Sequence, residues 1–143
     1  MKKAIMCAFF AMANAITMAS AIEDVAATIW DEARGEGFVG RQYVASVIYN
    51  RAKGKGVKMR DVCAKRKQFS GWKNGKPPTV VRKNAKDEAI WKECLAFAKA
   101  LVNEDFKPVT TATHYHATYV KPTWASKLKF VCKVGKHKFY EEA

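Results

Sequence analysis

Glu23-Asp24-Val25-Ala26-Ala27-Thr28-Ile29-Trp30-Asp31-Glu32-Ala33-Arg34-Gly35-Glu36-Gly37 is the stretch whose reading decides the fold. Val25, Ile29 and Glu32 recur at i, i+4 and i+7, so they share one stripe of a helix over 23–34, and Glu23 and Asp24 favour its positive end. Gly35 and Gly37 stop that helix. The apolar stripe therefore carries a carboxyl group into the last turn. Burial disfavours the charged form of a carboxyl, and so does the negative end of the helix macrodipole. Both effects would let Glu32 hold a proton near neutral pH and donate it as a general acid. Arg34 and Arg51 could oppose this by stabilising the carboxylate, and a solvated or ion-paired glutamate is the competing reading. Glu36 lies four positions on, but Gly35 interrupts the helical face. Its expected roles are to fold the turn, to accept hydrogen bonds from backbone amides, or to pair with Arg41.

Outward from this helix, a second one runs from about Arg41 to Ala52, with Val44, Val47, Ile48 and Arg51 on one stripe, until Gly54-Lys55-Gly56 breaks it. From Arg60 to Thr79 the chain is basic and rich in turn formers, which predicts a long exposed loop centred on Gln68-Phe69-Ser70-Gly71-Trp72. Asn84, with Asp87 at the third position after it, caps a helix whose Ile90, Cys94, Phe97, Ala98 and Leu101 form one face and which ends near Asn103. Thr110 to Val120 favours an extended chain. Leu128, Phe130, Cys132 and Val134 alternate with Lys129, Val131 and Lys133 as in a strand. Trp30, Trp91, Phe97 and Phe130 are expected in the core. The fold class is α+β, mainly α, a single domain with a small β-sheet or hairpin.

Met1-Lys2-Lys3, the uncharged run Ala4 to Ala21 and the small-residue ending Ala19-Ser20-Ala21 have the layout of a signal peptide, 1–21, with a weakly hydrophobic signal-anchor as the rival. Cleavage would leave residues 22–143 as one compact domain and bring the formal net charge from +13 to about +11. Such a charge favours polyanions, and export points to the carboxylate- and phosphate-rich bacterial envelope rather than nucleic acid. The expected chain is a secreted or periplasmic monomer whose membrane contact is transient and made through the leader. Of the four cysteines, Cys7 lies in the leader. In an oxidising compartment two of Cys63, Cys94 and Cys132 are expected to form a disulfide.

The three histidines, His114, His116 and His137, could form a zinc site with an open water position. No His-Glu-x-x-His helix or cysteine-ligand spacing supports it, so no metal and no cofactor is expected. Phe69, Trp72, Tyr115, Tyr119 and Trp124 lie beside polar groups such as Gln68, Ser70, His114 and His116. Aromatic plates edged by hydrogen-bonding groups suit sugar rings, while core packing explains any one of them. A non-enzymatic basic module for the envelope or for nucleic acid, with Glu32 merely paired to an arginine, is the reading from another class.

Seven motifs occur in a familiar order: Glu32-Ala33-Arg34-Gly35-Glu36, Gly40-x-x-x-Val44-Ala45-x-Val47-Ile48-x-Asn50-Arg51, Val62-Cys63, Gln68-Phe69-Ser70, Thr113-His114-Tyr115-His116, Pro122-x-Trp124-Ala125 and Gly135-x-His137-x-Phe139-Tyr140. Together they resemble the SleB-type cell-wall hydrolases, the spore-cortex-lytic enzyme family. The resemblance implies a lysozyme-like fold that cuts peptidoglycan between N-acetylmuramic acid and N-acetylglucosamine, usually as a lytic transglycosylase. It implies Glu32 as the catalytic acid, with the segments holding Gln68, Phe69, Ser70, His114, Tyr115 and His116 lining the glycan cleft; Glu36 and Trp124 are added as substrate-binding candidates. A muramidase would need a second carboxylate, Glu36 or Asp61, about 5 to 9.5 Å from the first. The basic Lys73-Asn74-Gly75-Lys76-Pro77-Pro78 insert departs from the family, and the small size also suits a phage endolysin.

Overall fold

The computed structural model describes the backbone of residues 2–142 and side chains from Thr17 to Glu142. The expected leader and its Cys7 therefore fall mostly outside the described side chains. Among the described residues no helix is long and apolar enough to cross a membrane. The elements are α1 (Lys2–Ala33), α2 (Phe38–Lys55), α3 (Met59–Ala64), α4 (Ala85–Val102), β1 (His114–Ala117), a 3-10 turn (Thr123–Lys127), β2 (Lys129–Val134) and β3 (His137–Glu141).

Val25, Ala26, Ile29 and Trp30 give α1 its buried stripe, and it packs against Ala45 and Ile48 of α2, Cys63 of α3 and Cys94, Ala98 and Leu101 of α4. Burying each larger side chain of this set stabilises the fold by about 1.5–3 kcal/mol. The α4 cap forms as its sequence predicts: the Asn84 side chain accepts the Asp87 N–H at 2.9 Å, and Asn103 ends the helix. The three strands form an antiparallel sheet in the order β1-β3-β2. A second, smaller core of Val47, Ala112 and Phe139, flanked by Tyr43, Tyr115, Cys132 and Val134, fixes the sheet to α2.

Several expectations are corrected. The second helix is longer than 41–52, because Gly37 starts it and Gly56, at φ 63, ends it in the left-handed conformation that glycine adopts without penalty. The exposed loop begins later than Arg60, since Met59, Val62 and Cys63 supply enough apolar surface to hold α3 on the core. Phe130 is 53% exposed rather than core. The register opposes Phe130 to Tyr140 and Cys132 to Phe139, so Val131 is an extra residue in β2. That bulge puts Phe130 and Cys132 on opposite faces, which simple alternation cannot do.

No disulfide joins Cys63, Cys94 and Cys132; all three thiols are free. Cys63 and Cys94 act as small apolar residues of the main core, while Cys132 sits in β2 beside Tyr43. Burial pushes the thiols of Cys63 and Cys94 up to about 12. Such groups are poor nucleophiles for exchange.

Two polar devices lock the α1–α2 turn. Arg41 is 5% exposed. Its guanidinium donates to the carbonyls of Ala33 and Glu36 and pairs with Glu93 of α4 at 2.7 Å. Glu36 turns its carboxylate toward the β2–β3 hairpin. There it accepts the Lys136 N–H at 3.0 Å and lies 3.4 Å from His137 Nδ1. Gly135 makes this approach possible: a Cβ there would stand 2.0 Å from Glu36 Oε2, and its φ is +55.

Gly135→Ala is expected to cost about 3 kcal/mol in urea unfolding, from left-handed strain plus a displaced carboxylate. Gly54→Ala, at a helical position with open space around it, is expected to leave stability unchanged or raise it by up to about 1 kcal/mol. Because the three cysteines are unpaired, the midpoint of thermal unfolding is expected to be the same with and without reductant; a drop of several degrees on reduction would contradict that arrangement.

Candidate functional site

Glu32 sits in the last turn of α1, half-buried. Its carboxyl is held above the usual glutamate range, first by burial, while a hydrogen bond from Tyr115 pulls it down, the neighbouring charge of Asp31 pushes it up and Arg51 pulls it down. The Tyr115 hydroxyl, raised well above its ordinary value by burial and by the Glu32 charge, stays protonated and serves as the donor. Opposing neighbours thus act on its proton affinity from both sides, with burial the largest influence.

The chain delivers these neighbours through side chains of α2. Asn50 Nδ2 donates to the carbonyls of Thr110 and Ala112, each at 2.8 Å. Arg51 Nε donates to the Thr113 carbonyl at 2.5 Å and Nη1 to Gln68 Oε1 at 3.3 Å, and its guanidinium lies 5.4 Å from the Phe69 ring centre. The segment leading into β1 is thus fastened to α2, and Tyr115 arrives beside Glu32. Trp72 Nε1 donates to Thr28 Oγ1 at 2.9 Å, which ties the loop after α3 to α1 as well.

Strand alternation divides the His-Tyr-His segment. Tyr115 faces inward, its ring 5.1 Å from His137 and 5.5 Å from Phe139. His114 and His116 face the other way and flank Trp124, at 5.4 and 5.6 Å between ring centres. His116 stacks on Tyr140 and shares a 2.9 Å hydrogen bond with its hydroxyl. The three histidines therefore do not converge on one point. Among the described residues no group of three or more His, Cys, Asp or Glu side chains could hold a metal ion, which removes the donor set of the zinc alternative.

The remaining sequence candidates divide by exposure. Phe69 is 2% exposed and packs in the core beneath Arg51. Gln68 and Ser70 are exposed and border two separate hollows. Ser70 shares a groove of about 650 Å³ with Asp31, Lys73, Asn74, Lys76 and Thr79. Gln68 shares a smaller one, about 310 Å³, with Lys55, Asp61 and Lys65. Glu36 is committed to the hairpin. Sequence reasoning gave Asp31 no role and named Asn50 only within a motif. Asp31 is an exposed polar neighbour in an amphipathic helix, the commonest place for an acid of no consequence, and only the fold brings its carboxylate against Gly71.

The family described as cell wall hydrolase matches residues 35–140, beginning three positions after Glu32. No match was found among curated proteins. Among solved structures the chain is similar to the catalytic domain of the germination-specific lytic transglycosylase SleB from Bacillus anthracis. The TM-score is 0.63 at 23% identity, over 84% of this chain and 93% of that one. It is similar also to the catalytic domain of the Bacillus cereus SleB protein, with a TM-score of 0.59 at 21% identity, over 84% and 88%. The mainly helical fold with its small antiparallel sheet is that lysozyme-like architecture. The chain belongs to the cell wall hydrolase family and is an enzyme acting on the cell wall.

Proposed function

We propose that this enzyme cleaves the glycan strand between N-acetylmuramic acid and N-acetylglucosamine as a lytic transglycosylase, with Glu32 as its single acid and base. The observation that carries the reading is the environment of Glu32: a half-buried carboxyl with a raised proton affinity, held by Tyr115 and Arg51. Protonated Glu32 gives its proton to the bridging glycosidic oxygen as positive charge develops at the muramic C1. The bond to the departing sugar breaks, and Glu32 is left as a carboxylate. Tyr115 donates to that carboxylate and the Arg51 cation lies near it. The carboxylate then takes the proton of the muramoyl 6-hydroxyl, whose oxygen closes on C1 to give a 1,6-anhydro end.

The two-carboxylate hydrolytic routes need a second acid to activate water or form a covalent intermediate. Glu36 is spent on the Lys136 amide and His137. Asp61 lines the hollow of Gln68 and Lys65. Asp31, the acid that acts on Glu32 electrostatically, faces the groove of Ser70 and Lys73. This distribution supports the one-carboxylate route. The same reading takes residues 22–143 as the catalytic unit of an exported chain, working without a metal or cofactor, with Ser70, Gln68, His114, His116 and Trp124 on the glycan-facing side.

Digests of purified peptidoglycan are expected to yield muropeptides with 1,6-anhydro ends, one water lighter than reducing ends by mass spectrometry; reducing ends alone would refute the transglycosylase route. Glu32→Gln is expected to fold normally and lose about 10²–10⁴-fold in rate.

The proton donor must be protonated, so the rate is expected to fall as pH rises through the raised Glu32 pKa. Tyr115→Phe removes a hydrogen bond that favours the carboxylate and should move this alkaline limb to higher pH. Asp31→Asn removes a charge that disfavours the carboxylate and should move it to lower pH. Opposite shifts in the pH profile of kcat/KM check both signs; a limb unmoved by either change would mean that another group sets it.

A further inference from the structure

The groove beside Asp31 has one wall with an unusual composition. Lys73 N–H donates to the Lys76 carbonyl at 3.1 Å and Lys76 N–H to the Lys73 carbonyl at 3.0 Å. Between them Asn74 has φ 53 and Gly75 φ 74. Positive φ at both central residues is the type I′ hairpin turn that Asn-Gly favours. In this turn Lys73 and Lys76 are directly opposed partners, so their side chains leave the ribbon on the same side. Like charges in that position are destabilising. Neither ammonium is in an ion pair within the described residues. The fold itself gains nothing from this pairing, whereas a bound anion would.

The turn is also held in place. Pro78 is buried, and a Cβ at Gly71 would meet Asp31 Oδ2 at 2.3 Å and Pro78 Cγ at 2.8 Å, so the two ends of the loop close on each other and the Gly71 end lies against the last turn of α1. The groove of about 650 Å³ between the lysines and Asp31 is therefore a fixed feature beside the residue that precedes Glu32, with Ser70, Asn74 and Thr79 offering hydrogen bonds. Two ammoniums against one carboxylate leave it net positive.

We propose that this groove takes the peptide stem of the muramic acid residue being cut, with Lys73 and Lys76 clamping a stem carboxylate. The inference rests on the transglycosylase reading above. The stem leaves C3 of the same ring whose C1 is attacked, so it departs close to Glu32, and the groove whose Asp31 acts electrostatically on that acid lies within its reach. Within the groove a stem carboxylate meets the two lysines. Lys73 and Lys76 then determine specificity, selecting muramic residues that carry a stem over naked glycan.

The test uses soluble, uncrosslinked glycan strands free of teichoic acid, either bearing their stems or stripped of them by an amidase. For each protein the quantity read is the ratio of kcat/KM on stem-bearing to stripped strands. The wild-type ratio is expected to be roughly tenfold or more, from charge-assisted contacts, and to reside in KM. In K73Q/K76Q the ratio should fall toward one, and in K73R/K76R it should persist. Removing two lysines elsewhere, K107Q/K133Q, should leave the ratio unchanged, which separates a clamp from general surface charge. A wild-type ratio near one, or a ratio that K73Q/K76Q leaves intact, overturns the clamp. A wild type that releases nothing from either strand overturns the proposed function instead.

Discussion

The guanidinium of Arg41 is the constraint on which the rest depends. Helices end with unsatisfied carbonyls, and α1 must end abruptly if Glu32 is to stand at the lip of the domain rather than inside it. Arg41 takes the carbonyls of Ala33 and Glu36 and anchors to Glu93 of α4, so one buried cation joins the end of α1, the start of α2 and the middle of α4. Leaving such a charge unpaired, or removing it, would expose buried polar groups on three elements at once. With the turn fixed, Glu36 can reach the hairpin, and the sheet is placed against the helices.

Glu32 illustrates how a site is set by balance rather than by one strong contact. Burial and Asp31 favour its neutral form, while Tyr115 and Arg51 favour its charged form. In the mechanism proposed above, a donor that later acts as a base needs both states within reach. The neighbours that supply this balance come from α1, α2 and β1. A shift of any one element would change the proton affinity without touching the glutamate.

The helical frame was legible in the residues because its signals are local. The Val25-Ile29-Glu32 stripe, the glycines after it and the Asn84 cap with Asp87 each act within one or two turns. The order of motifs likewise pointed to the cell wall hydrolase family, which the match over residues 35–140 bears out, and the Tyr115 placement follows from strand alternation once β1 is known. What could not be read was set by tertiary contacts. The Val131 bulge reverses the face of Phe130. The free cysteines follow from packing, since Cys63 and Cys94 fill the core while Cys132 meets Tyr43. β3, which pairs with both other strands, has a short and charged sequence that gave no strand signal of its own. The apposition of Asp31 and Gly71 joins residues forty positions apart, and no periodicity encodes it.

The segment before β1 carries a consequence for how such a chain can diverge. Residues 110–113 belong to no strand, and their carbonyls are held by Asn50 and Arg51 of α2. The position of Tyr115 is therefore measured from α2, not from the path the chain takes after α4. Apart from Phe106, which is buried in the main core, the connection between Asn103 and Val109 can change while the tyrosine stays at the glutamate. A swap at Asn50 or Arg51 offers no such tolerance, so drift in this family should accumulate in the connection and spare the pair.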